Sequence, residues 1–249
     1  MLEKLNRDMI WRIASVTSVA LLLLAAVVWA KNSTPKTATC PSIEYIIEDK
    51  AQRQYVTDEE LTQLLTDSAI FPADKPVREV SVYQIEKTIR NHPMVLTAEC
   101  YMTLQHEVKV HLTLRTPILR IQSQDTLYLV DMERQIMPDR PSVTDSLLTF
   151  RGLISEQMAV AELADMALWI QKDAFWNERI ESIEVEQPDM LFVHLRGSDQ
   201  PKVILGEIER FEQKMGKLKT FLDKGKESTE GKQYKELDLR FHGQVVARK

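Results

Sequence analysis

The run from Ile13 to Ala30 (IASVTSVALLLLAAVVWA) contains no charged residue and is bracketed by Arg12 and Lys31. No other stretch constrains the chain so strongly. At about 1.5 Å per residue, a helix over it reaches roughly 27 Å, close to the thickness of a bilayer's hydrocarbon core, with Trp11 and Trp29 placed for the two headgroup layers. The run reads as a transmembrane helix, 13–30. A cleaved signal peptide competes, because Val28-Trp29-Ala30 is a tolerable small-residue cleavage site, but the uncharged run exceeds the usual apolar region of about 7 to 15 residues. A buried core helix is the third reading. Lys4, Arg7 and Arg12 precede the run while only Lys31 and Lys36 closely follow it, which favours a cytoplasmic tail, 1–12, with the bulk of the chain outside.

Of the 249 residues 44% are hydrophobic, enough to build cores for one large or two small domains beyond the anchor. A formal net charge of −5 with mixed signs provides no broad cationic field, so nucleic acid is not an expected partner. Cys40 and Cys100 are too few for a disulfide framework and pair only if the compartment oxidises them. The seven glycines are scattered, Gly225 and Gly231 being the nearest pair, so no phosphate-cradling loop is present. The five histidines, His92, His106, His111, His194 and His242, lack zinc spacing and read as solvated or turn residues. Gly-x-Ser-x-Gly, the nucleophile elbow of hydrolases, is absent. Glu184 and Glu186, beside Glu181, read as like charges on a solvated strand edge rather than a sugar-cleaving pair. Catalysis, a cofactor, a metal and a small-molecule substrate are all unexpected.

Lys31 to Pro41 is polar and proline-bearing, a stalk, 31–41. Ile43, Tyr45 and Ile47 alternate with Glu44 and Glu48 as in a half-buried strand. Thr57-Asp58-Glu59-Glu60 is a capping box ahead of Leu61, Leu64 and Leu65. Ser81 to Gln84 repeats that logic ahead of Ile85 and Ile89, and Asn91-His92-Pro93 stops the second helix. Strands are expected over Val95–Thr103 and Glu107–Arg115, with Leu104 to His106 turning between them. The order strand, helix, helix, strand, strand describes a first domain, 42–120, whose two helices cover one sheet face, with a boundary near Arg120.

In the second domain, 121–249, Leu127–Val130 and Gln135–Met137 flank a hairpin turn at Met132-Glu133-Arg134. Leu147–Phe150 is a short strand, and Ser155 caps a helix to about Lys172 with Ala159, Leu163, Met166 and Ile170 on one stripe. Strands through Ile180, Ile183 and Val185 and through Leu191, Val193 and Leu195 meet at Gln187-Pro188-Asp189. Val203–Gly206 is another strand. A long helix, Glu207 to Lys224, places Ile208, Phe211, Met215, Leu218 and Leu222 on a seam read as packing on its own sheet rather than in a coiled coil. Its early glutamates and late lysines suit the helix dipole. Gly225 to Gln233 is a polar loop, and Leu237 and Leu239 read as core.

Several short motifs resemble the FtsQ/DivIB family of bacterial cell-division proteins. They are Tyr55-Val56-Thr57 with Glu60-Leu61, Ile85-Glu86, His92-Pro93-Met94-Val95, and Arg115-Thr116-Pro117. Further along come Val130-Asp131, Phe150-Arg151-Gly152, Val203-Ile204-Leu205-Gly206 with Lys214 and Leu218, and Leu237-Asp238-Leu239-Arg240-Phe241. One departure is the hairpin after Val130-Asp131, where the family places a glycine and this chain has Met132-Glu133-Arg134.

The resemblance implies a single transmembrane helix plus an α+β extracytoplasmic region: a POTRA-type domain (β-α-α-β-β) followed by a β-rich C-terminal domain with two helices. It implies a non-catalytic scaffold in the inner membrane at the division septum, N-terminus in the cytoplasm and bulk periplasmic. The implied partners are FtsB/DivIC-type and FtsL-type proteins and other divisome components. In the family the last strand and the helix before it hold FtsB. Here that carries over to Phe241, Gly243, Val245 and Val246, with Arg240 and Lys217 as charge partners for an acidic segment. An exposed terminal edge would accept a partner strand. Two alternatives from other classes are a POTRA-bearing polypeptide assembly or translocation factor and a membrane-tethered enzyme.

Overall fold

The computed structural model describes residues 38–48, 55–140, 147–187, 190–228 and 234–249. The expected tail, span and most of the stalk lie outside the described residues, and among those described no helix is long and apolar enough to cross a membrane.

The first domain comprises β1 (Ile43–Ile47), α1 (Asp58–Asp67), α2 (Val82–Arg90), β2 (Val95–Met102) and β3 (Val108–Leu114). β3 is central, parallel to β1 and antiparallel to β2. Val108, Val110, Leu112 and Leu114 alternate inward along β3 and meet Leu61 and Leu65 of α1 and Ile85 and Ile89 of α2. Both caps form: the Thr57 hydroxyl accepts from the Glu60 amide at 3.2 Å and the Ser81 hydroxyl from the Gln84 amide at 3.3 Å. The Glu60 carboxylate does not reach back to Thr57, because His92 and Arg140 hold it instead.

The stalk ends earlier than expected. Cys40 is fully buried in the first core, its amide bonded to the Lys75 carbonyl at 2.9 Å, and Thr39 bridges Pro76. Cys40 and Cys100 are both free thiols. Burial, assisted by the Glu86 carboxylate, pushes the Cys100 thiol up to about 12.

Among its described residues the second domain is a nine-stranded sheet in the order β12-β11-β10-β9-β8-β7-β4-β5-β6. Its strands are β4 (Pro117–Ser123), β5 (Thr126–Asp131), β6 (Ile136–Pro138), β7 (Leu148–Gly152), β8 (Ile180–Gln187), β9 (Met190–Leu195), β10 (Lys202–Gly206), β11 (Glu236–Asp238) and β12 (Val246–Arg248). The change of sheet falls between Leu114 and Pro117, so Arg120 lies inside β4 rather than at a boundary.

Helices α3 (Glu156–Met158), α4 (Ala164–Lys172), α5 (Ala174–Arg179) and α6 (Phe211–Ser228) join this sheet. Ala159, Leu163, Met166 and Ile170 form the expected buried stripe. Met215 and Leu218 of α6 enter the same core, which bears out packing on the chain's own sheet. α6 begins at Phe211, not Glu207, because Arg210 takes a left-handed φ of +54° just before it. Of the early glutamates, Glu207 and Glu209 are therefore outside the helix and Glu212 is in its first turn. α5 was not expected; Asp173 caps it by accepting from the Phe175 amide, and it buries Trp176.

The β5–β6 hairpin serves two cores. Val130 is buried in the second domain's core, while Leu129 and Met137 are fully buried in the first domain's core. Beside them Arg140 donates two hydrogen bonds to Glu60, at 2.5 and 3.1 Å, and His92 lies 3.1 Å from the same carboxylate. Burial opposes ionisation of Glu60, but these two partners outweigh it and hold its pKa below the ordinary value. His92 thus lies in a turn, as expected, but its side chain is only 9% exposed and meets Glu60 rather than solvent.

Candidate partner-binding site

The C-terminal arm is built on β11, which pairs in parallel with β10 and antiparallel with β12. Leu237 and Leu239 anchor it in the core. Between them Asp238 is fully buried, accepting from Arg240 Nε at 3.0 Å and Nη2 at 2.7 Å. Gly206, at φ +69°, makes this possible: a Cβ there would stand 2.7 Å from Arg240 Cγ. Two motifs far apart in sequence, Val203–Gly206 and Leu237–Phe241, are one device in space.

The Arg240 hydrogen bonds, against the opposing effect of burial, hold Asp238 below the usual carboxylate range. A depressed folded-state pKa contributes stability that is fully present above the unfolded value of about 3.9 and is lost as pH falls through the lower folded value. The melting-temperature gap between the native chain and Asp238→Asn is therefore expected to be constant near neutrality and to close below about pH 4. A gap unchanged into acid would show that the carboxylate charge contributes nothing.

Lys217 of α6 donates to the carbonyls of Leu239 (3.0 Å), Phe241 (2.6 Å) and Gln244 (3.4 Å). Its ammonium is therefore a clasp on the turn before β12, and Arg240 is likewise engaged inside the chain. Burial first, then the Arg210 charge, pulls Lys217 below its ordinary pKa. Of the site residues named from sequence, Arg240, Phe241 and Gly243 (φ +74°) occupy this turn instead of the last strand. Phe241 is 44% exposed, a large apolar side chain held at the surface. Val246 begins β12, while Val245, just before it, leans on the second core with Ala247. Among the described residues β12 is the outermost strand, paired on one side only. Among the described residues no cluster of His, Cys, Asp and Glu is arranged to hold a metal ion.

The hairpin departure also resolves. Arg134 adopts the left-handed conformation, φ +63°, that a glycine would otherwise supply. Its guanidinium donates to the Val160 and Ala161 carbonyls, both at 3.2 Å, and to Asp165 at 2.6 Å. Those carbonyls belong to a π-helical turn, Ala159–Leu163, where the normal helical bonding is interrupted. Glycine would suit the turn better but leave those carbonyls without this donor.

A β-α-α-β-β unit leading into a large sheet with helices defines a POTRA-like domain followed by a β-rich one. Comparison with known families agrees on both parts: a POTRA-like domain model matches residues 38–113, and the model described as FtsQ/DivIB, C-terminal related, matches residues 116–248. The chain belongs to the FtsQ/DivIB family of non-catalytic cell-division scaffolds, which gives it a divisome-type role. No curated protein matches it.

Proposed function

We propose that the chain is a single-pass inner-membrane scaffold of the septum that binds FtsB/DivIC-type and FtsL-type partners by strand addition at β12. It thereby links early and late division proteins to septal peptidoglycan synthesis. The observation that carries the reading is the open outer edge of β12, beside an exposed Phe241 and over a turn clasped by Lys217. An unpaired edge offers backbone donors and acceptors, and a neighbouring aromatic supplies an anchor. In this mechanism Arg240 and Lys217 act as positioning residues that preorder the edge.

The test is capture of a soluble FtsB/FtsL-type pair by the detergent-solubilised full chain carrying Val246→Pro or Ala247→Pro. Successive amides along a strand point to opposite sides, so one proline removes a donor from the outer edge and the other from the β11 ladder. The variant that keeps its melting temperature is expected to lose capture by tenfold or more, and Phe241→Ala to weaken it similarly. Full capture by both proline variants would move the site elsewhere.

A further inference from the structure

Among the described residues the two sheets present four edge strands, and they are not equally protected. β1 has five residues, β6 and β12 three each, and β6 ends in Pro138. β2, with eight residues, is the longest, and a long edge is the strongest template for unwanted pairing. The middle of its outer side is occupied. Glu86 Oε2 accepts from the Cys100 amide at 3.1 Å, and Arg90 Nη2 donates to the Ala98 carbonyl at 3.1 Å. The same Arg90 nitrogen bonds Glu86 Oε1 at 2.5 Å, so the two side chains form one bridged unit on α2.

The arrangement reproduces a backbone pattern. A residue of a parallel strand lying opposite position 99 would donate its N–H to the carbonyl of residue 98 and accept at its C=O from the amide of residue 100. Arg90 supplies that donor and Glu86 that acceptor. We propose that the Glu86–Arg90 pair is a side-chain imitation of an added strand, and that it closes the β2 edge to extended peptides. The occupant it excludes is a second copy of the edge itself. The pair thus keeps a long, strand-accepting surface of the first domain out of use. Sequence spacing alone shows an (i, i+4) ion pair, an ordinary helix feature; the bonds to Ala98 and Cys100 give it this second role.

The inference concerns a different edge from β12, and its test needs no division partner. The probe is a fluorescent peptide copying Val95–Met102, titrated into the full chain in detergent, with an alternately N-methylated peptide as the control that cannot pair. Two variants are compared with the native chain. Glu86→Ala/Arg90→Ala removes the cap while leaving good helix formers on α2. Glu86→Arg/Arg90→Glu keeps an ion pair but sets a donor against the Cys100 amide and an acceptor against the Ala98 carbonyl. Both are expected to bind the peptide at least tenfold more tightly than the native chain, and to lose at least tenfold of the exchange protection at the Cys100 amide. If the swapped variant behaves like the native chain, the pair only supports α2 and the proposal falls. It falls equally if exchange quickens in both variants but neither binds the peptide.

Discussion

Replacing Gly152 with alanine is expected to destabilise the second domain by about 4 kcal/mol or more, the range reserved for gross steric conflict. Gly152 ends β7 at φ +114°, a conformation that strains any L side chain. A Cβ at that position would stand 2.1 Å from the Val185 carbonyl oxygen and 2.9 Å from its carbonyl carbon. Both are backbone atoms of β8, the strand paired in register beside it, so no side chain can swing away. Relief requires moving β8, which also weakens the 2.8 Å bond from the Leu153 amide to that same oxygen. The control is Gly216→Ala on α6, where a Cβ meets nothing within 4 Å and the helix gains about 0.5 to 1 kcal/mol. Denaturant unfolding of the two variants should move the midpoint in opposite directions. A Gly152→Ala chain within 1 kcal/mol of the native one would mean that β7 and β8 separate readily enough to admit a Cβ.

That contrast shows what a sequence can and cannot carry. Phe150-Arg151-Gly152 is legible as a motif, but the reason for its glycine is a carbonyl at Val185, more than thirty positions away and without any mark of its own. The same holds at the C-terminal arm. Leu237 and Leu239 read as core from parity, whereas the dependence of Arg240 on the missing Cβ of Gly206 comes only from the parallel pairing of β10 with β11. Period-two alternation located most strands because one face of each meets a core. It missed α5, whose six residues are too few to show a helical period, although Asp173 followed by an aromatic pair is a readable cap. It placed the start of α6 four residues early, since the apolar seam extends back to Ile208 and nothing local announces a left-handed Arg210. Lys217 and Arg240 were legible as cations near the terminal strand. Their engagement with the chain's own carbonyls and carboxylate depends on tertiary placement.

The second large effect joins two motifs that the sequence presents as separate. Arg115, at the exit of the first domain, donates from Nη1 to Asp131 Oδ2 at 2.7 Å, and Asp131 is fully buried at the end of β5. The other oxygen, Oδ1, accepts from the Gln135 amide at 2.7 Å and so shapes the turn into β6. Removing one member of a buried pair strands the other charge, and Arg115→Met is expected to cost about 3 to 5 kcal/mol. The double variant Arg115→Met/Asp131→Asn should recover at least half, because the amide oxygen still accepts from Gln135 and no unpaired charge remains. The location adds a second readout. This hairpin carries Leu129 and Met137 into the first domain's core, so the pair fixes the element through which the two domains share apolar burial. The native chain is expected to melt in one transition and Arg115→Met in two, the first domain losing the packing of both side chains. Retention of a single transition at unchanged temperature would show that burial of Leu129 and Met137 couples the domains without the ion pair.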